Sequence, residues 1–175
     1  MISKAFACSA AMALAIAAAS GSARAEDNAF GGSPSLLEGS WEMTIKPLDC
    51  VTGVESPPQF WNFAYLNFSQ GGTVFETTSN PRFQPGQRSP GYGYWERTGH
   101  HTYEAVYQAF IEFTTDPPAV PPNPTFTRGS QRFEHVIELV DADHWRSTAD
   151  VLFRDVSGNR VPPSGCATAV ATRMP

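Results

Sequence analysis

Apolar and polar residues alternate along eight separate segments of this chain. In the segment 40–46, Trp41, Met43 and Ile45 fall on one face and polar residues fall on the other. A repeat of two residues is typical of a half-buried β-strand. By the same pattern we predict strands over 40–46, 59–68, 73–78, 91–97, 101–113, 125–140, 145–153 and 166–173.

Short turn signals separate several of these strands. Gln70-Gly71-Gly72, Thr98-Gly99 and Asp141-Ala142-Asp143 each stand between neighbouring strands, and Ser157-Gly158-Asn159 follows the seventh. No segment has the 3.6-residue period of an amphipathic helix. Eight antiparallel strands joined mostly by short turns predict an all-β fold, either an up-and-down barrel or a sandwich.

The sixth predicted strand changes its apolar parity along its length. Phe126 belongs to one face, whereas Phe133, Ile137 and Leu139 belong to the other. One extra residue in a strand produces such a change, so we expect a β-bulge within 125–140.

The first 25 residues have the pattern of a secretory signal peptide. Lys4 precedes the alanine-rich run Ala5–Ala19, and Ala23-Arg24-Ala25 is a small-x-small cleavage site. A run of this length is too short to span a bilayer, so no membrane insertion is expected. We therefore predict a signal peptide over 1–25, a flexible leader over 26–35 and one domain over 36–175, exported to the periplasm or the medium.

The composition limits the classes of partner that the predicted mature chain can bind. Removal of Lys4 and Arg24 with the signal peptide leaves ten of the 12 Lys and Arg residues against 17 Asp and Glu residues. A chain this acidic is a poor partner for nucleic acid or anionic lipid. All 15 prolines lie in this part of the chain, which excludes a helical bundle.

Two cysteines, Cys50 and Cys166, remain after the signal peptide and predict one disulfide. The bond would close a loop of 116 residues, which chain-entropy arithmetic values at about 4–5 kcal/mol. It would also tie the end of the first strand to the last strand. A closed barrel requires these strands to be neighbours, so the disulfide favours the barrel over the sandwich.

Two features at opposite ends of the domain resemble the lipocalin and calycin group. Those proteins begin their first strand with Gly-x-Trp, as in Gly39-Ser40-Trp41, and place an Arg on the last strand, where Arg173 stands here. The resemblance implies a lipocalin-like barrel closed at one end by a cation–π contact between Arg173 and Trp41. Lipocalins follow the barrel with a helix, and no helical pattern follows Arg173. The allene oxide cyclase-like barrels are a second resemblance, which rests on strand count and size.

Aromatic residues supply the main indication of function. Eight of them fall on the inward face when one consistent alternation of inward and outward residues is followed along the strands. Small residues such as Ala105, Ala109 and Ala149 fall on the same face. Large rings with small neighbours indicate an apolar cavity or a packed core, and the small residues favour the cavity. The predicted ligand-binding residues are Phe63, Tyr65, Phe75, Tyr94, Tyr103, Tyr107, Trp145 and Phe153.

The common catalytic and phosphate-binding signatures are absent, and neither a cofactor nor a metal is predicted. We interpret Gly91 and Gly93 as space for a neighbouring aromatic ring or as a bend in the barrel. His100-His101 is expected in a solvated turn. His135 and His144 are expected on the polar surface, although His135 shares a face with Phe133 and would be the candidate axial ligand of a haem.

Charged residues form no obvious site. The carboxylates of Glu104, Glu112, Glu134 and Glu138 are expected outside the barrel. Arginines flank the Pro-rich segment 80–90, where they would form surface pairs or attract an acidic ligand at the rim. These arginines are Arg82, Arg88 and Arg97.

Three functions remain open. The first is an exported protein that binds a small, largely apolar molecule inside its barrel. The second is an isomerase or cyclase whose barrel interior shapes the bound substrate. It needs an acidic or basic side chain that points into the barrel. The third is a filled barrel that binds a protein partner through the Pro-rich loops 80–90 and 116–124.

Overall fold

The computed structural model describes residues 36–81, 83–112 and 128–175. The predicted signal peptide (1–25) and leader (26–35) lie outside the described residues, as do Arg82, Phe126 and the Pro-rich segment 116–124. A 3-10 turn, Pro58–Phe60, precedes the second strand. The strands of the described part are β1 Gly39–Leu48, β2 Asn62–Ser69, β3 Thr73–Ser79, β4 Gly91–Arg97, β5 Thr102–Glu112, β6 Arg128–Leu139, β7 His144–Asp155 and β8 Arg160–Arg173.

The strands form one closed sheet in sequence order. Each pairs antiparallel with the next, and β1 also pairs with β8, from Trp41 opposite Arg173 to Leu48 opposite Cys166. The predicted eight-stranded up-and-down barrel is therefore confirmed. Between β2 and β3, the chain turns at Gly71-Gly72, where both residues have the positive φ values that glycine tolerates best.

The described part of the strand where we predicted a bulge, residues 128–139, contains no irregularity. β6 keeps an unbroken register with both β5 and β7 over residues 128–139, so the predicted bulge is wrong for this part of the strand. The register shifts instead between β7 and β8, where Val151 pairs with Gly165 but Phe153 pairs with Val161. β8 contains Pro162-Pro163 at this point, and a proline has no N–H for the ladder.

Trp41 and Arg173 close one end of the barrel. The Arg173 guanidinium lies over the Trp41 ring, with Cζ 4.1 Å from the ring centroid. It also donates hydrogen bonds to three backbone carbonyl oxygens near the start of β1 and in the β6–β7 turn. A Cβ atom on Gly39 would lie 2.8 Å from Arg173 Nη1, so the glycine of Gly-x-Trp leaves room for this contact. The predicted contact is confirmed.

Large buried side chains fill the interior behind this closure. Trp145 packs edge-on against Trp41, with ring centroids 6.2 Å apart. Trp95 contacts Phe68 and Tyr103, each at a centroid distance of 5.9 Å. Because this half of the barrel is packed, the open space inside the barrel lies toward the opposite end, which we call the open end.

The predicted disulfide stands at the open end. Cys50 follows β1, Cys166 lies in β8, and their Cα atoms are 5.3 Å apart. The bond is adjacent to the last residue pair between β1 and β8, Leu48 opposite Cys166. It therefore reinforces the seam at which the barrel closes.

Replacement of Arg173 by Ala tests the closure of the packed end. The variant loses the cation–π contact and three charge-assisted hydrogen bonds, so we expect its free energy of unfolding to fall by about 2–4 kcal/mol. Urea denaturation followed by tryptophan fluorescence measures the change. Arg146→Ala, which removes an exposed arginine paired with Glu138, is the control and should cost less than about 1 kcal/mol. Equal losses in the two variants would contradict the assigned closure.

Candidate functional site at the open end of the barrel

Four of the eight aromatic residues that we assigned to the interior lie on the outer surface. Phe63, Tyr65, Phe75 and Tyr94 are 56%, 51%, 37% and 53% exposed. The prediction was wrong for these four because β2, β3 and β4 carry aromatic or aliphatic residues on both faces, so alternation alone does not identify the inward face. The inward residues of these strands include Ala64, Leu66, Phe68, Val74, Glu76, Gly91 and Trp95.

The other four predicted residues are buried inside the barrel. Tyr103 and Trp145 belong to the packed end, Tyr107 lies near the middle of β5, and Phe153 lies near the open end. Their inward placement is confirmed. Their contact with a ligand stays a prediction.

A pocket opens into the barrel at the end opposite Trp41. Its cavity volume is about 60 Å³. Phe83, Phe133 and Phe153 supply aromatic walls, and Asn62 and Thr78 supply a polar wall. The Asn62 Oδ1 and Thr78 Oγ1 atoms are buried and have no hydrogen-bond partner among the described residues. The pocket therefore combines an apolar side with polar atoms that still need partners.

Arg88 is the one charged residue among the described residues that line the pocket. Its side chain is only 5% exposed, although it belongs to the loop between β3 and β4. The guanidinium donates hydrogen bonds to Glu76 Oε2 at 2.9 Å, to Gln131 Oε1 at 2.7 Å and to the Ser89 carbonyl oxygen at 3.2 Å. It also lies 5.5 Å from the Phe133 ring centroid. The predicted surface or rim position is therefore wrong for Arg88.

The loop holds Arg88 in this position by pairing with the end of β5. The Ser89 N–H donates to the Phe110 carbonyl oxygen, and the Glu112 N–H donates to the Gln87 carbonyl oxygen. Between these two bonds, Arg88 itself bridges to Ile111. The second half of the segment 80–90 thus continues the sheet and directs the arginine inward.

Glu76 places a carboxyl group inside the barrel with none of its surface exposed. The sequence reasoning missed it because it assigned the neighbouring Phe75 to the interior. Its Oε1 atom has no hydrogen-bond partner in the described part of the chain. A Cβ atom on Gly91 would lie 2.6 Å from Glu76 Oε2 and 3.0 Å from Tyr107 Cδ2. Gly91 therefore leaves space for a ring, as predicted, and also for the carboxylate.

The charge state of Glu76 depends on two opposing effects. Burial raises the pKa of Glu76 above its usual value, whereas the charge and the hydrogen bond of Arg88 and, to a smaller extent, a hydrogen bond from the Gly91 backbone favour the ionised form and oppose that rise. A buried carboxylate without its partner is expensive, because desolvation of the charge is then uncompensated. Arg88 is therefore what allows Glu76 to be ionised inside the barrel.

A second buried polar group forms a chain from Tyr107 through His135 to Ser147. His135 Nε2 lies 2.9 Å from the Tyr107 hydroxyl, and Nδ1 lies 3.1 Å from Ser147 Oγ. His135 is only 2% exposed, so its predicted surface position is wrong. Both ring nitrogens have partners there, which makes burial of the imidazole tolerable. Burial lowers the pKa of His135 to about 4, so the ring is neutral near pH 7.

Of the remaining predicted polar residues in the described part of the chain, His101 is half-buried and the others lie on the outside. His100 and His101 occupy a bend, and the exposed His144 ring lies 2.8 Å from Asp141. Arg97 donates hydrogen bonds to backbone carbonyl oxygens in the β4–β5 turn. The glutamates predicted outside are confirmed there: Glu104 is exposed, and the other three form ion pairs, Glu112 with Arg128, Glu134 with Arg132 and Glu138 with Arg146.

The outward aromatic residues form a patch, which we call the outer aromatic patch. It consists of Phe63, Tyr65, Phe75, Tyr92 and Tyr94 on the adjacent strands β2, β3 and β4. Phe75 stands opposite Tyr92, and their rings meet edge to face at a centroid distance of 5.0 Å. Exposed aromatic clusters of this kind are a common feature of interaction surfaces.

Comparison with family models, with curated proteins and with solved structures finds no match for this chain. In the described residues, no group of three or more His, Cys, Asp or Glu side chains is arranged to hold a metal ion. The same residues include no helix long and apolar enough to cross a membrane. The interpretation of the site therefore rests on its geometry.

Stability below neutral pH tests the burial of His135. Its pKa of about 4 in the folded chain lies below the ordinary value of 6.5, so stability is lost as the pH falls from about 6.5 through 4. This group alone should account for about 3 kcal/mol of that loss. In His135→Gln, the difference in unfolding free energy between pH 7 and pH 4 should shrink by that amount. His100→Gln, an exposed control, should keep the wild-type difference, and an unchanged difference in His135→Gln would contradict the assignment.

Removal of Arg88 tests the buried ion pair. Arg88→Met leaves Glu76 without its cation, so we expect a loss of about 3–5 kcal/mol in unfolding free energy at pH 7. The loss should be smaller at acid pH, where Glu76 takes up a proton. The double variant Glu76→Gln, Arg88→Met should recover most of the loss, as measured by urea denaturation. A double variant no more stable than Arg88→Met would show that the two side chains do not compensate each other.

Proposed function

We propose that this chain is an exported binding protein of lipocalin-like architecture, which holds a small, largely apolar molecule at the open end of its barrel. The observation that carries the proposal is the pocket itself. Phe83, Phe133 and Phe153 offer apolar contact, while unpartnered polar atoms on Asn62 and Thr78 stand in the opposite wall. Buried polar atoms without partners cost free energy, which a bound molecule with matching groups would recover.

The size of the pocket limits the part of the ligand that is enclosed. A cavity of about 60 Å³ accommodates on the order of four water-sized groups. The packed rings around Trp41 and Trp145 prevent deeper entry. A larger ligand would therefore place one small end group inside and extend its remainder through the open end.

Export is proposed on the combined pattern of the chain. The Cys50–Cys166 bond is of the kind that persists in an oxidising compartment, and the first 25 residues have the pattern of a signal peptide. The lipocalin-like character is supported by the closed barrel and by the Arg173–Trp41 contact.

The isomerase or cyclase alternative needs an acid or base inside the barrel, and Glu76 and His135 meet that requirement. Neither residue lines the pocket, however, and both nitrogens of His135 already have partners. Binding without chemistry is therefore the function that the geometry supports better. The outer aromatic patch is a surface on which a protein partner could bind, as the third alternative requires. The experiment below also tests for such a partner.

Native mass spectrometry of the mature protein, purified from its natural host, tests the proposed function. We expect a reproducible small added mass that is lost on denaturation. A titration with the uncharged fluorophore N-phenyl-1-naphthylamine then locates the site. Val151→Trp, which fills the pocket wall, should weaken binding of the fluorophore at least about tenfold, because the aromatic group loses its space.

Val170→Trp is the matched control, because Val170 is on the outer face of β8 and 51% exposed. It should bind like the wild type. Equal binding by Val151→Trp, or neither added mass nor fluorophore binding in the wild type, would contradict an interior site. Co-purification of a protein mass instead would favour the interaction alternative.

A further inference from the structure

We propose that the bound molecule is an organic acid, whose carboxylate docks on Arg88, and that its binding is coupled to the uptake of one proton by Glu76. The inference rests on the proposed function and adds the charge of the ligand and the condition for its release. It follows from three features of the structure: Arg88 lines the pocket, the fully buried Glu76 carboxyl group bonds to it, and the described residues that line the pocket include no second cation.

Arg88 is placed to receive an anion from the pocket. A guanidinium has five N–H donors, and the three acceptors found among the described residues, on Glu76, Gln131 and Ser89, take one each. Donors therefore remain for a ligand, and a carboxylate matches the planar fork of an arginine. The cavity admits a group of this size, and the aromatic walls suit an apolar body behind it.

Glu76 does not line the pocket itself, but it accepts a hydrogen bond from Arg88, which does. It has no exposed surface, and its Oε1 atom has no partner among the described residues. When a ligand carboxylate joins the same guanidinium, two negative charges share one positive charge in an interior with little water. Paired carboxylates in this situation cannot both stay ionised, and one of them takes a proton.

Glu76 is the carboxyl group that accepts the proton. It is the more deeply buried of the two, and burial already raises its pKa. The proton comes from solvent when the ligand binds and returns to solvent when the ligand leaves. No covalent bond to the ligand forms or breaks in either direction.

The other elements packed around Glu76 offer no competing titration near neutral pH. On β5, burial raises the pKa of Tyr107 well above its usual value, so its hydroxyl stays neutral. On β6, Gln131 is uncharged, and His135, which bonds the Tyr107 hydroxyl, is neutral above about pH 4. β2 places the apolar Leu66 opposite Glu76, and β4 places Gly91 there. Arg88 is the only charged group that faces Glu76 in the described part of the chain.

Isothermal titration calorimetry of the mature protein with octanoate tests the coupling, with 1-octanol as the uncharged match. Titrations at pH 7 in phosphate and in Tris, two buffers with different ionisation enthalpies, give the number of protons taken up. We expect about one proton per octanoate and none per octanol. The affinity for octanoate, but not for octanol, should rise by about tenfold per pH unit as the pH falls, since one proton is linked to one ligand.

Glu76→Gln should bind octanoate without proton uptake and with an affinity that no longer depends on pH. Glu104→Gln, which removes an exposed carboxylate from the outer face of β5, should behave like the wild type. If Glu76→Gln does not fold, the titrations of the wild-type protein in the two buffers still test the proton uptake.

Two results would overturn the inference while leaving the proposed function in place. One is octanol binding without octanoate binding, and the other is octanoate binding with no proton uptake in the wild type. Binding of neither compound would contradict the proposed function as well.

Discussion

A carboxylate with no exposed surface, that of Glu76, lies inside this barrel, and the Arg88 guanidinium compensates its charge. Much of the open half is arranged around that ion pair. Gly91 lacks the side chain that would collide with Glu76, and the loop before it pairs with β5 so that Arg88 points inward. Gln131 accepts a second hydrogen bond from the same guanidinium. Each of these residues helps to accommodate or compensate one buried charge.

The two ends of the barrel each contain an arginine, but the two arginines have different roles. At the closed end, an arginine is also used, but it packs on the face of Trp41 and bonds backbone carbonyl oxygens near the surface. This arrangement seals the barrel and leaves no space for a ligand. At the open end, Arg88 is enclosed, is paired with an acid and borders a cavity. The first arginine serves stability, whereas the second gives the cavity its chemical character.

The fold was largely predictable from the sequence, because it depends on patterns that are local or involve few residues. Alternation defined most of the strands, and the cysteine pair together with Gly39-Ser40-Trp41 and Arg173 indicated closure. The sequence was less informative about which residues of each strand face the interior. On β2 and β3, apolar residues occupy both faces, so the choice between Phe75 and its neighbours depends on the register with other strands. That single choice decided whether Glu76 would be inside or outside.

The polar interior was not predictable for the same reason. Arg88 reaches the barrel only because its loop pairs with β5, and His135 is tolerable inside only because Tyr107 and Ser147 meet it from other strands. A sequence does not show such cross-strand partners. One signal was available: Gly91 stands in a strand among tyrosines, where a glycine indicates that another group approaches closely. The group proved to be the carboxylate as well as a ring.

The ion pair between Glu76 and Arg88 beside the pocket sets the titration of the Glu76 carboxyl group. Carbon-13 NMR of the Glu76 side-chain carboxyl, assigned by its absence in Glu76→Gln, measures the titration of this group directly. We expect a midpoint above the usual range for glutamate, which moves further upward when octanoate is bound and stays in place with 1-octanol. A midpoint in the ordinary range that octanoate does not move would show that Glu76 is not a buried charge coupled to ligand binding at Arg88.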